Sequence, residues 1–114
     1  MLTIDALRAR GANVDEGLAR CCGNEAFYLR LSGMAAADGT FARLEEALEA
    51  EDYSAAFEAA HALKGMLANL ALMPWLTPVS EMTELLRGRQ KADCAALLSE
   101  ARHQHDVFVA LCRG

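Results

Sequence analysis

Residues 53–70 read YSAAFEAAHALKGMLANL, and this stretch decides the fold. Ala56, Ala60, Leu63, Leu67 and Leu70 fall on one stripe when each residue turns the chain by about 100°. Asp52, just ahead, suits an N-cap. A helix with one apolar stripe buries it only against other elements. The remaining sequence offers helices for that purpose. Alanine, leucine and glutamate abound, proline occurs only at 74 and 78, and no stretch alternates with period two. The expected class is all-α.

Working outward, Thr3 caps a first short helix to about Arg10, with Gly11 as its stop. Asn13 caps a second, Glu16 completing a capping box, and Gly23 closes it after Cys22. Asn24 caps a long helix read as continuous to about Ala50. Its stripe is Phe27, Leu31, Met34, Phe41, Leu44 and Leu48, which keeps phase across Gly33 and Asp38-Gly39. After Met73-Pro74-Trp75 the next helix begins at Pro74 or at Pro78 and ends near Gly88. The last runs from about Ala92 to Cys112, with Leu97, Ala101, Phe108 and Leu111 inward. Short connections place consecutive helices side by side, so the expectation is an up-down four-helix bundle with short N-terminal helices.

Composition bounds the function. The chain has 114 residues, enough for one domain (1–114), and is 54% hydrophobic, which opposes disorder. A net charge of −5 argues against nucleic acid as a partner. The longest apolar run, Leu70–Leu76, is far short of the ~20 residues of a membrane span. No secretory leader is apparent at the N-terminus, so a cytoplasmic location is expected. Cys21, Cys22, Cys94 and Cys112 form no C-x-x-C pair and are read as free, buried thiols.

One residue of the deciding stretch stands on the wrong face. His61 lies roughly opposite the apolar stripe, flanked along the axis by the small residues Ser54, Gly65 and Ala68. Lys64 follows one turn later, and Phe57 and Glu58 sit one turn back. Glycine inside a helix costs ~1 kcal/mol relative to alanine, so Gly65 suggests that something approaches closely there. An exposed imidazole can accept a covalent group at neutral pH, and a lysine beside it can neutralise an anion. Periodicity alone is also satisfied by an ordinary solvated histidine.

Ala60-His61-Ala62-Leu63-Lys64-Gly65 resembles the H-x-L-K-G motif of histidine phosphotransfer (HPt) domains. Gly11–Arg20, ending Gly17-Leu18-Ala19-Arg20, is similar to that family's N-terminal signature. Asn24–Tyr28, Leu48–Tyr53 and Ala68-Asn69-Leu70 continue the resemblance over about residues 11–90. It implies a four-helix bundle whose exposed histidine, here His61, carries a phosphoryl group between aspartate receiver domains. Lys64 would neutralise the phosphate, and Gly65 would leave room for the partner. Implied partners are response-regulator receivers or a hybrid histidine kinase. Magnesium would come with the receiver and no cofactor with this chain. The resemblance therefore implies a phosphocarrier without enzymatic turnover, expected to be a free-standing monomer. A docking surface of Phe57, Glu58, Gly65 and Ala68 follows. Ala71 stands where the family usually has glycine, Met66 where a small residue is common, and Pro74 and Pro78 where the helix is usually plain.

Other residues have plainer readings. His103 and His105 point about 200° apart on one helix and cannot share a metal there; His105 belongs at the core edge. Metal binding with Cys21 and Cys22 is the weakest alternative, and no metal site is assigned. The acidic run Glu45–Asp52 is a solvated helix end. Trp75 covers the bundle end, and Met34, Met66, Met73 and Met82 fill the core. The main rival is a non-catalytic helical bundle that docks a receiver without accepting phosphate.

Overall fold

The computed structural model describes residues 1–88 and 93–114. Among these it is all-helical: α1 Ile4–Ala9, α2 Val14–Arg20, α3 Glu25–Ala37, α4 Thr40–Glu49, α5 Tyr53–Asn69, α6 Met73–Leu86 and α7 Ala95–Arg113. Four sequence-assigned N-caps hold. The side chains of Thr3, Asn13, Asn24 and Asp52 accept from the backbone N–H three residues on, at 3.0–3.3 Å. At Asn13 the capping box closes through its amide Nδ2, which donates to Glu16 Oε2 at 3.1 Å. Its backbone N–H is committed elsewhere, to the Ala71 carbonyl at 2.9 Å.

α5 is the central element. α4 and α6 pack against it, and α7 packs on α6 and α3. Its whole predicted stripe, Ala56, Ala60, Leu63, Leu67 and Leu70, is buried. Each buried leucine contributes ~1.5–3 kcal/mol relative to exposure, so this stripe fixes how α5 is turned and therefore where His61 points. Opposite the stripe lie Leu44, Leu72, Trp75, Val79, Met82 and Leu86, all without measurable exposure.

The long helix expected from Asn24 to Ala50 is two helices. Asp38 takes an extended backbone, and its carboxylate accepts from the Thr40 N–H at 2.8 Å and from the Thr40 hydroxyl. That side chain caps a new helix where the old one would have continued. The break uncouples the phase of the halves. In α4, Phe41 and Leu44 are buried and Leu48 half-buried, as read. In α3 the buried residues are Tyr28, Ser32, Ala35 and Ala36, while Phe27 and Met34 are exposed and Leu31 is half-buried. α3 is thus turned by about one residue from the expected phase.

Other expectations also change. α6 begins at Met73, with Pro74 in its first turn and Pro78 inside it. Met73 is exposed rather than core, since its side chain lies at the helix start. Trp75 does not cover an end. It is buried among Phe41, His105 and Phe108, at ring separations of 6.2, 5.1 and 5.8 Å. All four cysteines are free, but Cys22 is exposed and Cys112 half-buried. In α7, Ala101 and Phe108 are buried, and Leu97 and Leu111 half-buried. The expected start at Ala92 lies outside the described residues. No helix among the described residues is long and apolar enough to cross a membrane.

The short N-terminal helices serve α5. A helix end leaves carbonyls without intrahelical partners, and three at the C-terminal end of α5 are met from outside. Arg20 of α2 donates to the Ala68 carbonyl, Tyr28 of α3 donates its hydroxyl to Leu70 O at 2.8 Å, and the Asn13 N–H reaches Ala71 O. Gly17 makes this approach possible: a Cβ there would come within 2.7 Å of the Leu70 oxygen and collide with the Tyr28 ring.

Candidate functional site

The site is built on the solvent side of α5. With the apolar stripe buried, His61 is exposed at mid-helix. Phe57, one turn earlier, is half-buried, and the imidazole stacks on its ring at 5.8 Å between centroids and 16° between planes. A stacked ring has fewer orientations to lose when a partner arrives. The other two histidines differ. His103 is exposed on α7, and His105 is half-buried, stacked on Phe41 at 5.0 Å with its Nε2 3.1 Å from the Ala36 carbonyl.

Lys64 is half-buried, its stem lying along the helix. Among the described residues no carboxylate is within ion-pair distance of its ammonium. Gly65 is exposed, and a Cβ built on it would meet nothing within 4 Å. The contrast with Gly17 is informative. Packing inside the chain demands glycine at 17 and makes no such demand at 65, although mid-helix glycine costs ~1 kcal/mol.

The remaining expected positions spread around this centre. Glu58 is exposed on the side facing α4, where it shares a shallow groove with Arg43, Ala55, Ala59 and Ala62. Ala68 lies two turns from His61, half-buried, with its carbonyl taken by Arg20. The structure therefore clusters His61, Phe57, Lys64 and Gly65, and leaves Glu58 and Ala68 at the margins. Beyond Ala68, Met66 and Asn69 line an open groove with Leu31 and Met34 of α3, so Met34 is a surface residue and not core filler.

Two residues of α6 and its C-cap were missed by sequence reasoning. The Arg87 guanidinium lies over the Phe57 ring, 5.5 Å from its centroid. Glu84 holds that guanidinium, with Nη2 at 2.7 Å and Nε at 3.2 Å from one carboxylate oxygen. The hydrogen bond from Arg87 keeps the Glu84 carboxyl below the usual range; burial opposes this slightly, and the charges of Arg87, Lys64 and His61 add to it. Glu84 thus lies in the field of the site. No sequence signal links these residues to His61, because the link depends on how α6 is turned against α5.

Among the described residues no three His, Cys, Asp or Glu side chains gather as metal ligands. The arrangement offers an accessible nitrogen nucleophile, a nearby free ammonium and a bare helix surface, without an enclosing pocket.

A family model described as the Hpt domain matches residues 34–110, about two thirds of the chain. The match starts after the N-terminal signature and runs to near the end of α7. No curated protein and no solved structure matches the chain.

Proposed function

The chain belongs to the Hpt domain family, and from that premise we propose that it carries a phosphoryl group on His61 between aspartate receiver domains of a two-component phosphorelay. The family acts in histidine phosphotransfer. The observation that carries the assignment to His61 is the pairing of an exposed, stacked imidazole with a glycine one turn on that faces open space.

In the forward step a lone pair of the imidazole forms a P–N bond. The P–O bond to the receiver's aspartate breaks, and its electron pair leaves on the carboxylate. The ring gains positive charge and releases a proton to solvent. Return transfer reverses these changes. Such transfer is largely positioning and charge neutralisation. Phe57 orients the ring, Lys64 meets the charge on the equatorial oxygens, and Gly65 lets the partner's acidic site come close. Magnesium belongs to the receiver in this scheme. The chain needs no pocket of its own, because the partner supplies the other wall, and it acts as a phosphocarrier and not an enzyme. Phe57, Glu58 and Ala68 lie at the edges of the surface a receiver would cover. Receivers may come as separate response regulators or within a hybrid kinase; either presents the same acyl phosphate chemistry.

The test mixes phosphorylated receiver domains from the same organism with the protein and with His61→Gln. Acid-labile, alkali-stable label on the native chain and none on the variant is expected. A folded protein that binds a receiver yet takes no label would instead be a docking bundle.

A further inference from the structure

We infer that Arg87 is a second cation of the His61 site, held in reserve by Glu84 and transferred to the phosphoryl group when His61 is phosphorylated. The inference rests on the proposed acceptor role of His61.

Phe57 joins the two residues. Its ring carries the His61 imidazole at 5.8 Å and the Arg87 guanidinium at 5.5 Å, so both groups border the same aromatic side chain. Arg87 is more than half exposed, free to change rotamer without disturbing the core. Its only ion-pair partner among the described residues is Glu84, itself mostly exposed, and exposed ion pairs are weak. A phosphoryl group brings a charge of about −1.5 to −2 and three acceptor oxygens. It competes well with a single carboxylate for a guanidinium, whose planar fork suits phosphate oxygens.

Glu84 has a definite effect in this arrangement. In the unphosphorylated protein its carboxylate occupies the guanidinium and lowers the net positive charge facing the site. Lys64 then is the standing cation, and Arg87 the one recruited. Removing the Glu84 charge frees Arg87 and favours the phosphorylated form. Removing the Arg87 charge disfavours it. The two residues act on the phosphoryl group through charge and position, and neither reacts with it.

The experiment needs no receiver. Phosphoramidate phosphorylates exposed imidazoles directly: the ring nitrogen forms its P–N bond as the P–N bond of the reagent breaks, and ammonia leaves with the electron pair. The fraction of His61 phosphorylated at steady state is read by 31P NMR and mass spectrometry, with His61→Gln separating out other histidines. Far-ultraviolet circular dichroism checks each variant's fold. We expect Glu84→Gln to raise the ratio of phosphorylated to free His61 by about two- to fivefold. Arg87→Ala should lower it similarly, and Arg87→Lys should restore most of that loss. In the native protein the Arg87 Nε resonance should shift on phosphorylation and stay put in His61→Gln. Equal ratios in all variants, or an Arg87 resonance blind to phosphorylation, would overturn the inference while leaving His61 as acceptor. Failure of the native protein to take phosphate at His61 would overturn the acceptor assignment itself and the inference with it.

Discussion

The Tyr28 hydroxyl donates a 2.8 Å hydrogen bond to the Leu70 carbonyl oxygen, tying α3 to the C-terminal end of the helix that carries His61. Tyr28 has no measurable exposure, and burial pushes its phenol above the ordinary range, so it remains a neutral donor. The bond explains the phase of α3. Turning the helix to hide Phe27 and Met34 would swing Tyr28 outward and leave the Leu70 oxygen without this partner.

Tyr28→Phe keeps the ring and deletes the donor. A buried carbonyl left short of a partner costs ~1–3 kcal/mol. The denaturation midpoint should fall by that equivalent, while phosphorylation of His61 by phosphoramidate in the folded variant stays near native. Unchanged stability would show that solvent replaces the hydroxyl there.

Ala71 occupies a left-handed conformation, φ +54°, at the end of α5, where the Leu72 N–H bonds to Leu67 O and the Ala71 N–H to Ala68 O. That is a Schellman ending, whose C′ position favours glycine. The departure from the family's usual glycine therefore carries strain of ~1 kcal/mol. Ala71→Gly should stabilise the protein by about that amount in urea unfolding. Glu51, at φ +56° in the same motif after α4, provides an exposed second case. No gain at either position would mean that the flexibility glycine adds to the unfolded chain cancels the relief.

Gly65→Gln separates packing from function. Because the position faces open space inside a helix, the substitution should raise stability by ~0.5 kcal/mol. Transfer from a phosphorylated receiver should nevertheless slow by about tenfold or more, a barrier of ~1.4 kcal/mol. Native transfer rates in the stabilised variant would argue that the partner does not approach over Gly65.

The Asp38 cap predicts a pH dependence. Its carboxyl is held below the usual range, chiefly by the Thr40 hydroxyl and then by the Thr40 N–H. A lowered folded value means that its contribution is complete above the unfolded pKa of about 3.9 and is lost as pH falls through the folded value. Asp38→Ala should therefore be less stable than native at pH 7, and the gap should narrow below about pH 4. A gap independent of pH would assign the effect to backbone conformation and not to the carboxylate.

Much of this was legible in the chain because it is local. The α5 stripe, the four N-caps and the exposure of His61 depend on spacing along one helix and on side chains reaching three residues. Gly65 was legible for the same reason. The reading of one helix from Asn24 to Ala50 failed because an apolar stripe can keep phase across a break. The Asp38 carboxylate, satisfied by Thr40, makes the break without changing that pattern.

The sequence by itself determined an all-helical chain with an accessible histidine opposite a buried stripe, and a lysine and a glycine one turn beyond it. Only the tertiary structure decided what surrounds that histidine from elsewhere in the chain. Arg87 and Glu84 reach the site through the rotation of α6 against α5, and α1–α3 close the end of α5 through Asn13, Gly17, Arg20 and Tyr28. The physical reason is range. Helical periodicity and capping are set by neighbours within four residues, whereas inter-helix contacts depend on how buried surfaces mesh, and many sequences share one local pattern while meshing differently.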